Sequence, residues 1–224
     1  MFKRYAIFHT PHGAFADWGA TWLGWDSAGG RAVPHGEVAG LDVAALTARP
    51  RKYGLHGTLK APFRLADGAT QADLRAAVAA FAKARPPVPI GPLSVVHQNG
   101  FVALRPAPPQ PRLSDFASDT VRELDRFRAP LTEDDIARRR KSRLSPRQDA
   151  QMLEWGYPFV FEDFHFHLTL TGRVSADHAP PIIAHLSAAL LPIVPAPYAV
   201  DTVSLMGEDA QGLFHLLDRF DLAG

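Results

Sequence analysis

The sequence predicts an α+β protein in which two pseudo-symmetric lobes of antiparallel sheet and helices face each other across a central cleft. Two observations predict this class. The order strand, helix, strand, strand occurs twice along the chain, and a helix-rich segment separates the two occurrences. Each occurrence also begins with a His-x-Thr triplet, at residues 56–58 and 167–169. We expect lobe one over about residues 1–110, a helical insertion over about 111–157 and lobe two over about 158–224.

Composition sets the outer limits on function. The chain has 224 residues, of which 46% are hydrophobic and 21% charged, values that are ordinary for a globular protein. Its formal net charge of +1 excludes a polycation that coats nucleic acid. The absence of cysteine excludes disulfides, thiolate catalysis and Cys-ligated zinc. We find no signal-peptide pattern and no apolar run of about 20 residues, so we expect a cytoplasmic protein without a membrane partner; the oligomeric state is not predicted.

The secondary-structure elements of lobe one are predicted from the alternation of apolar residues, the positions of Gly and Pro, and helix and strand propensity. An Ala-rich stretch stopped by Pro86-Pro87 is typical of a helix, and Gln98-Asn99-Gly100 between two apolar runs is typical of a hairpin. The predicted elements are a strand over 5–8, a helix over 17–25 capped by Asp17, a strand over 55–63, a helix over 71–84, and hairpin strands over 93–97 and 101–105.

The insertion and lobe two are predicted in the same way. Acidic residues after Thr132 and basic residues from Arg138 onwards suit the two ends of a helix dipole. The predicted elements are helices over 113–127, capped by Ser114, from Thr132, and from Ser145 to about Gly156, then a strand over 164–171, a helix over 179–191, and hairpin strands over 199–206 and 213–220.

Each His-x-Thr strand presents a polar face. Side chains alternate across a strand, so residues two apart share a face. The polar faces carry His56, Thr58 and Lys60 in one strand and His167, Thr169 and Thr171 in the other. If the lobes face each other, two imidazoles and two hydroxyls line one cleft.

That set of groups suits chemistry at a phosphodiester. One histidine can act as general base on a hydroxyl or water while the other protonates the leaving oxygen, and an ordinary imidazole pKa of about 6.5 serves both roles. Threonine hydroxyls can donate to the non-bridging phosphate oxygens. We therefore predict catalytic roles for His56, Thr58, His167 and Thr169, with no cofactor. Which histidine is the base is left open.

The paired His-x-Thr strands in duplicated lobes resemble the two-histidine (2H) phosphoesterase superfamily. That superfamily includes cyclic nucleotide phosphodiesterases and RNA 2′,3′-cyclic phosphodiesterases or ligases. Five segments are further similar to a poorly characterised branch labelled as phosphonate metabolism proteins, namely Arg4–Ile7, Pro50–Phe63, Phe127–Leu131, Trp155–Pro158 and Phe166–Gly172. The resemblance implies the two-lobed α+β fold, the four catalytic positions above and a small phosphorylated substrate, such as a ribose cyclic phosphate. Gly57 stands where alanine is common in that branch and is expected to weaken the strand.

Six residues are candidates for substrate binding because they lie on the predicted cleft face, in the turn before His56, in the similar segments or in the basic run 138–141. They are Tyr5, Arg51, Lys60, Arg139, Tyr157 and Thr171. For each, packing or a solvated surface is the alternative. The basic run either forms a solvated helix face or contributes one or two arginines that bind a phosphate.

Other ligands are less well supported by the sequence. His165 and His167 are spaced as zinc ligands can be, but no Asp or Glu motif completes the site, so no metal is predicted. The glycines near residue 30 match neither a Walker nor a dinucleotide fingerprint, which argues against ATP or NAD.

Three functions remain open. The first is a cyclic phosphodiesterase with a small phosphorylated or cyclic-phosphate substrate. The second, less favoured, is an RNA-processing protein acting on 2′,3′-cyclic ends, for which the basic run would contact RNA. The third is a module that binds a phosphorylated ligand without turning it over.

Overall fold

An antiparallel seven-stranded sheet forms the centre of the fold in the computed structural model, which describes residues 2–224. The strands in chain order are β1 (Arg4–His9), β2 (Trp25–Asp26), β3 (Arg31–Ala32), β4 (Gly57–Phe63), β5 (Val88–Gly91), β6 (Leu93–Gln98), β7 (Phe101–Pro106), β8 (Leu168–Arg173), β9 (Tyr198–Val200), β10 (Thr202–Glu208) and β11 (Phe214–Asp221). The main sheet has the order β11-β10-β1-β4-β8-β7-β6, and β2-β3 and β5-β9 form short separate pairs. The predicted α+β class with antiparallel sheet is confirmed.

Seven α-helices lie within this described part of the chain. They are α1 (Gly13–Leu23), α2 (Val43–Thr47), α3 (Gln71–Lys83), α4 (Pro111–Leu124), α5 (Glu133–Arg140), α6 (Pro146–Trp155) and α7 (Ala179–Leu190). Short 3-10 turns cover Pro50–Tyr53, Asp125–Phe127, Phe161–Asp163 and Ala176–His178. None of the helices found in residues 2–224 has the length and apolarity needed to cross a membrane.

Helix starts follow local capping chemistry, with two corrections to the sequence analysis. Helices α5 and α6 begin directly after Thr132 and Ser145, in agreement with the prediction, and the structure shows that each of these residues caps its helix through a reciprocal capping box. Asp17 lies inside α1, which begins four residues earlier at Gly13. Ser114 lies inside α4, because Pro111 already suits the first turn and the helix begins there.

The two halves of the sheet exchange hairpins. The His-x-Thr strands β4 and β8 are neighbours, paired at Gly57 and Leu168. The hairpin β6-β7 follows β4 in the chain but extends the sheet beside β8, whereas β10-β11 follows β8 but joins β1 on the side of β4. Each half of the sheet therefore draws strands from both predicted lobes, so residues 1–110 and 158–224 do not coincide with the two halves.

The sheet has one helix-covered face and one face that carries the polar residues. The main core lies on the helix-covered face, where Ile7, Leu168 and Leu205 pack against α3, α4 and α7. A smaller apolar cluster of Phe8, Met206 and Phe214 lies on the other face, which we call the cleft face. Its neighbours include the histidine ring of residue 56, so this second cluster forms the floor beside the candidate site.

Candidate active site

The pairing of β4 with β8 brings the two His-x-Thr triplets together. Gly57 pairs with Leu168 in antiparallel register. Continuing that register by one residue sets His56 opposite Thr169 and Thr58 opposite His167. Directly opposed residues have Cβ atoms about 5 Å apart, and the diagonal between the histidines spans about 7–8 Å. All four side chains are partly exposed. The two imidazoles and two hydroxyls therefore form one group on the cleft face that solvent can reach.

The His56 ring is oriented by its own turn. Its Nδ1 lies 2.9 Å from the carbonyl oxygen of Gly54, and its ring stacks on Phe8 with centroids 4.0 Å apart. Donation from Nδ1 to that carbonyl leaves Nε2 as the basic nitrogen. Burial is the main cause that lowers the pKa of His56 to about 4, and the charge of His167 contributes in the same direction. That electrostatic coupling agrees with the close approach expected from the register.

The His167 ring is held in the same manner. Its Nδ1 lies 2.8 Å from the carbonyl oxygen of His165, again two residues earlier, and Phe101 packs at a ring distance of 5.5 Å. Burial lowers the pKa of His167 below its usual 6.5, and the charge of Arg105 acts in the same direction. Each histidine thus keeps Nε2 as the free nitrogen, fixed by a backbone carbonyl.

Arg105 was not identified from the sequence. Ala103 pairs with Thr169 and Leu104 with Leu168, so the same register sets Arg105 opposite His167 on the cleft face. Burial lowers the pKa of its guanidinium, and no carboxylate contributes to the shift. Period-two alternation in β7 puts this arginine on the same face as Phe101. Only the order of strands in the sheet shows that β7 lies next to β8, and so that Arg105 lies beside His167. An unneutralised cation therefore stands beside the histidine pair.

Lys60 does not reach the cleft face, contrary to the prediction. Phe8 pairs with Thr58 but Ile7 pairs with Lys60, so Leu59 forms a β-bulge and the alternation shifts. Lys60 is 3% exposed, and its Nζ donates to Asp125 Oδ1 at 2.8 Å beneath α4. Its ammonium is therefore held by Asp125 and the Val121 carbonyl and does not face the histidine pair.

Replacing Lys60 with methionine is expected to lower the free energy of unfolding by about 1–3 kcal/mol and to leave KM unchanged. The apolar stem still packs, but Asp125, which retains Arg128, loses one charged partner. Urea denaturation with steady-state kinetics measures both effects, and the exposed Lys83→Met in α3 is the matched control. A raised KM without loss of stability would restore Lys60 to the binding site.

Three further predicted contacts lie away from the cleft. Tyr5 shares the helix-covered face with Ile7, and its hydroxyl donates to Gln71 Oε1 at 3.0 Å. The Arg51 guanidinium is tied to the carbonyl oxygens of Leu23 and Ala44. These two side chains are therefore structural, contrary to the prediction.

The predicted substrate contact of Thr171 is also wrong. It is 1% exposed and sits at an irregularity between β7 and β8, where its Oγ1 accepts from the Val102 N–H and donates to the carbonyl of Gly172, both at 2.9 Å. The hydroxyl replaces a missing ladder contact, and its single O–H is already donated to Gly172, so it cannot donate to a phosphate.

Arg139 and Tyr157 lie against each other, and Tyr157 is close to Tyr53, a neighbour of His56. The Arg139 guanidinium lies 4.9 Å from the centre of the Tyr157 ring. Tyr53, which the sequence analysis treated only as part of a turn, packs 5.4 Å from the His56 ring. The charges of Tyr53 and Arg139 both act on the pKa of Tyr157, although burial is the main cause of its rise. These aromatic rings link the histidine site to α5.

Gly57 is required by its close neighbour. A Cβ atom at this position would lie 2.3 Å from Phe166 Cε2, far inside van der Waals contact. The alanine that is common at this position in the similar branch would therefore clash in this chain, because the Phe166 ring occupies the space.

We expect Gly57→Ala to lower the free energy of unfolding by about 1–3 kcal/mol through overpacking and to lower activity, since Phe166 is bonded to His167. Thermal unfolding and initial rates measure the two effects. Adding Phe166→Leu should recover part of both. Wild-type stability and activity in the alanine variant would refute this explanation.

Within residues 2–224 there is no group of three or more His, Cys, Asp and Glu side chains that could hold a metal ion. His165, the second histidine of the possible zinc pair, is exposed. The absence of a metal requirement remains a prediction.

Comparisons with known sequences give a family and two relatives. The family described as "Protein of unknown function (DUF1045)" matches residues 58–215. A protein of Janthinobacterium sp. (strain Marseille) named ribose 1,5-bisphosphate phosphokinase PhnN is 34% identical over 221 residues, which cover 93% of this chain and 48% of that protein. A protein of the same name from Laribacter hongkongensis (strain HLHK9) is 35% identical over 192 residues, 83% of this chain and 44% of the relative. The chain thus spans about half the length of these curated relatives.

Comparison with solved structures finds weaker similarity. E. coli LigT complexed with NADP+ superposes with a TM-score of 0.45 at 15% identity, covering 100% of this chain and 99% of that one. A structure described as a phosphoesterase gives 0.42 at 16% identity, covering 100% of both chains. The family match extends over more than half of the sequence, and on that basis this chain belongs to the family of proteins of unknown function DUF1045.

Proposed function

We propose that this protein hydrolyses a cyclic phosphodiester of a small phosphorylated metabolite by acid–base catalysis between His56 and His167, without a metal. The observation that carries the proposal is the register of β4 with β8, in which each histidine lies opposite the threonine of the other triplet. A diagonal of about 7–8 Å between the histidines leaves room for one phosphorus centre between the rings.

The chemistry balances with water as the only co-reactant. One imidazole takes a proton from water as its oxygen attacks phosphorus. The other imidazole gives a proton to the ester oxygen that leaves, so the ring opens to a phosphomonoester and an alcohol. The pair ends with its protons exchanged and returns to its starting state through solvent. The near symmetry of the triplets leaves the assignment of base and acid open.

Charge on the phosphorus oxygens is the second requirement. Negative charge grows on the non-bridging oxygens during attack, and donors aimed at them stabilise the transition state. Thr58 and Thr169 supply hydroxyls on the cleft face, and Arg105 supplies a cation beside His167. Because no carboxylate contributes to the shifted pKa of Arg105, its charge is available to the substrate.

The pH dependence follows from the shifted pKa values. We expect kcat/KM for adenosine 2′,3′-cyclic phosphate to be bell-shaped in pH, with its maximum on the acid side of pH 6.5. Burial lowers the pKa of both histidines in the free protein, that of His56 to about 4, and the reactive pair carries one proton. A bound phosphodiester anion favours the protonated form, so the kcat maximum should lie at higher pH than the kcat/KM maximum. A kcat/KM maximum on the alkaline side of pH 6.5 would contradict these environments.

The substrate class is supported by resemblance and by the relatives. The segments quoted above resemble phosphonate metabolism proteins, and the longer relatives are named for ribose 1,5-bisphosphate. A cyclic phosphodiester of a phosphorylated pentose is consistent with both indications and with the chemistry proposed for the histidine pair.

A panel of cyclic phosphodiesters in EDTA tests the proposed function. It should include 2′,3′-cyclic nucleotides and ribose cyclic phosphates, each incubated with wild type and with the His56→Ala/His167→Ala protein. Turnover by wild type alone supports the proposal. Turnover by both proteins, dependence on added metal, or binding without turnover by wild type would each refute it, the last in favour of a non-catalytic module.

A further inference from the structure

One arginine of the basic run differs from its neighbours. Arg138 pairs with Asp135 at 2.5 Å, and Arg140 forms a two-pronged ion pair with Asp149. Among the described residues, Arg139 is the member whose buried Nε finds no hydrogen-bond acceptor. A buried N–H without an acceptor is costly, so Arg139 is the position in this run where a ligand would gain most.

The surroundings of Arg139 favour an anion. Burial is the main cause that lowers the pKa of Arg139; the like charges of Arg138 and Arg4 lower it further, whereas Tyr157 and Asp135 raise it. Arg4 is itself neutralised by Glu208, and Tyr157 fixes the guanidinium plane from one side. A ligand with negative charge would supply the missing acceptor and relieve the repulsion.

The position of this arginine relative to the histidines sets the size of the ligand. Arg4 and Arg139 line one cavity, whose other walls include Lys60, Ala61 and Pro62 of β4 and Asp135, whose carboxylate is itself paired with Arg64 and Arg138. On β1, Arg4 shares the cleft face with Phe8, four residues or about 13 Å along the strand, and Phe8 carries the His56 ring. The cavity therefore lies within about 13 Å of the histidine pair along β1, a span on the scale of a small molecule that carries two phosphates.

We propose that Arg139, held against Tyr157, binds a second phosphate of the substrate while its cyclic phosphodiester lies between His56 and His167. The inference rests on the proposed function and narrows its substrate class to small molecules with a cyclic phosphodiester at one end and a phosphomonoester at the other. The cavity volume of about 20 Å³ is enough for about one water-sized group, so one outer oxygen of the phosphate enters it, and the rest of the phosphate and the sugar lie outside.

A small molecule is favoured over an RNA strand by the charge balance of the same segment. A strand needs a continuous row of free cations for its phosphates. Arg138, Arg140 and Arg147 are instead paired with Asp135, Asp149 and Asp163. One free guanidinium matches one terminal phosphate.

The test measures binding separately from turnover. The His56→Ala/His167→Ala protein is titrated with adenosine 2′,3′-cyclic phosphate and with its 5′-phosphorylated analogue. We expect the second phosphate to tighten Kd by about 10- to 100-fold. Arg139→Gln in this background should abolish that gain, Arg139→Lys should retain part of it, and Arg140→Gln, one residue further along α5, should retain it fully.

Each outcome decides the inference. Equal Kd values for the two probes, or a gain that survives in Arg139→Gln, overturns it. Tighter binding of an oligoribonucleotide with a 2′,3′-cyclic end than of the 5′-phosphorylated mononucleotide also overturns it, in favour of RNA. Thermal unfolding confirms that the variants fold. Because wild-type turnover is scored separately, a protein that binds the second phosphate through Arg139 but hydrolyses nothing refutes only the proposed function.

Discussion

Alanine at His56 or at His167 is expected to lower kcat/KM for a cyclic phosphodiester by about 10²- to 10⁴-fold. Each replacement removes one member of the acid–base pair, and a positioned proton donor or acceptor contributes a rate factor of this size. Both rings are partly exposed and contribute little to the main core, so the variants should fold. Initial rates over a range of substrate concentrations, with thermal unfolding, measure the two quantities.

The matched control is His178→Ala. This histidine is exposed at the start of α7, where its Nδ1 lies 2.9 Å from the Ser175 hydroxyl. It should retain wild-type kcat/KM. If either site variant keeps full activity while remaining folded, the acid–base assignment fails.

Arg105→Gln is expected to lower kcat by about 10²- to 10³-fold, the usual effect of removing one donor to a developing phosphate or oxyanion charge. It should also move the pH profile, because the charge of Arg105 helps to lower the pKa of His167, after burial. Without that charge the limb of the profile governed by His167 shifts to higher pH. Steady-state rates across pH measure both effects.

Two further variants separate charge from geometry at this position. Arg105→Lys keeps the positive charge, so the pH limb should stay in place while kcat falls by a smaller factor. Arg173→Gln, an exposed arginine at the end of β8, should behave as wild type. A normal kcat together with an unshifted profile in Arg105→Gln would show that the residue acts on neither the substrate nor His167.

Local chemistry explains what the sequence predicts correctly. The triplets at 56–58 and 167–169, the Asn99-Gly100 hairpin and the helix starts at Thr132 and Ser145 depend on residues within a few positions of each other. Such features follow from alternation, turn preference and orphan N–H groups, all of which can be assigned from adjacent residues.

Register irregularities explain why the predicted positions of Lys60 and Thr171 on the cleft face are wrong. One extra residue at Leu59 moves Lys60 to the helix-covered face, and a similar shift beside β7 buries Thr171. A bulge changes which face every later residue occupies, and nothing in the local sequence marks either position. Period-two alternation assigns the face of a side chain correctly only up to the first bulge in its strand.

Distant partners account for the rest. Arg105 enters the site because β7 lies next to β8, and the exchange of hairpins that produces this order is not determined by the order of elements along the chain. In the same way, Arg139 stands apart only because the carboxylates of Asp135 and Asp149 reach its neighbours. Ion-pair partners and strand neighbours are properties of the folded chain.

A double-mutant cycle in EDTA tests most directly whether both imidazoles act on one phosphorus atom. The rates to compare are those of wild type, His56→Ala, His167→Ala and the double variant with one cyclic phosphodiester. Groups that act as a unit lose their effect together, so the double variant should be no slower than the slower single variant. Losses that multiply across the two positions would mean that the histidines act independently, and the proposed mechanism would have to be abandoned.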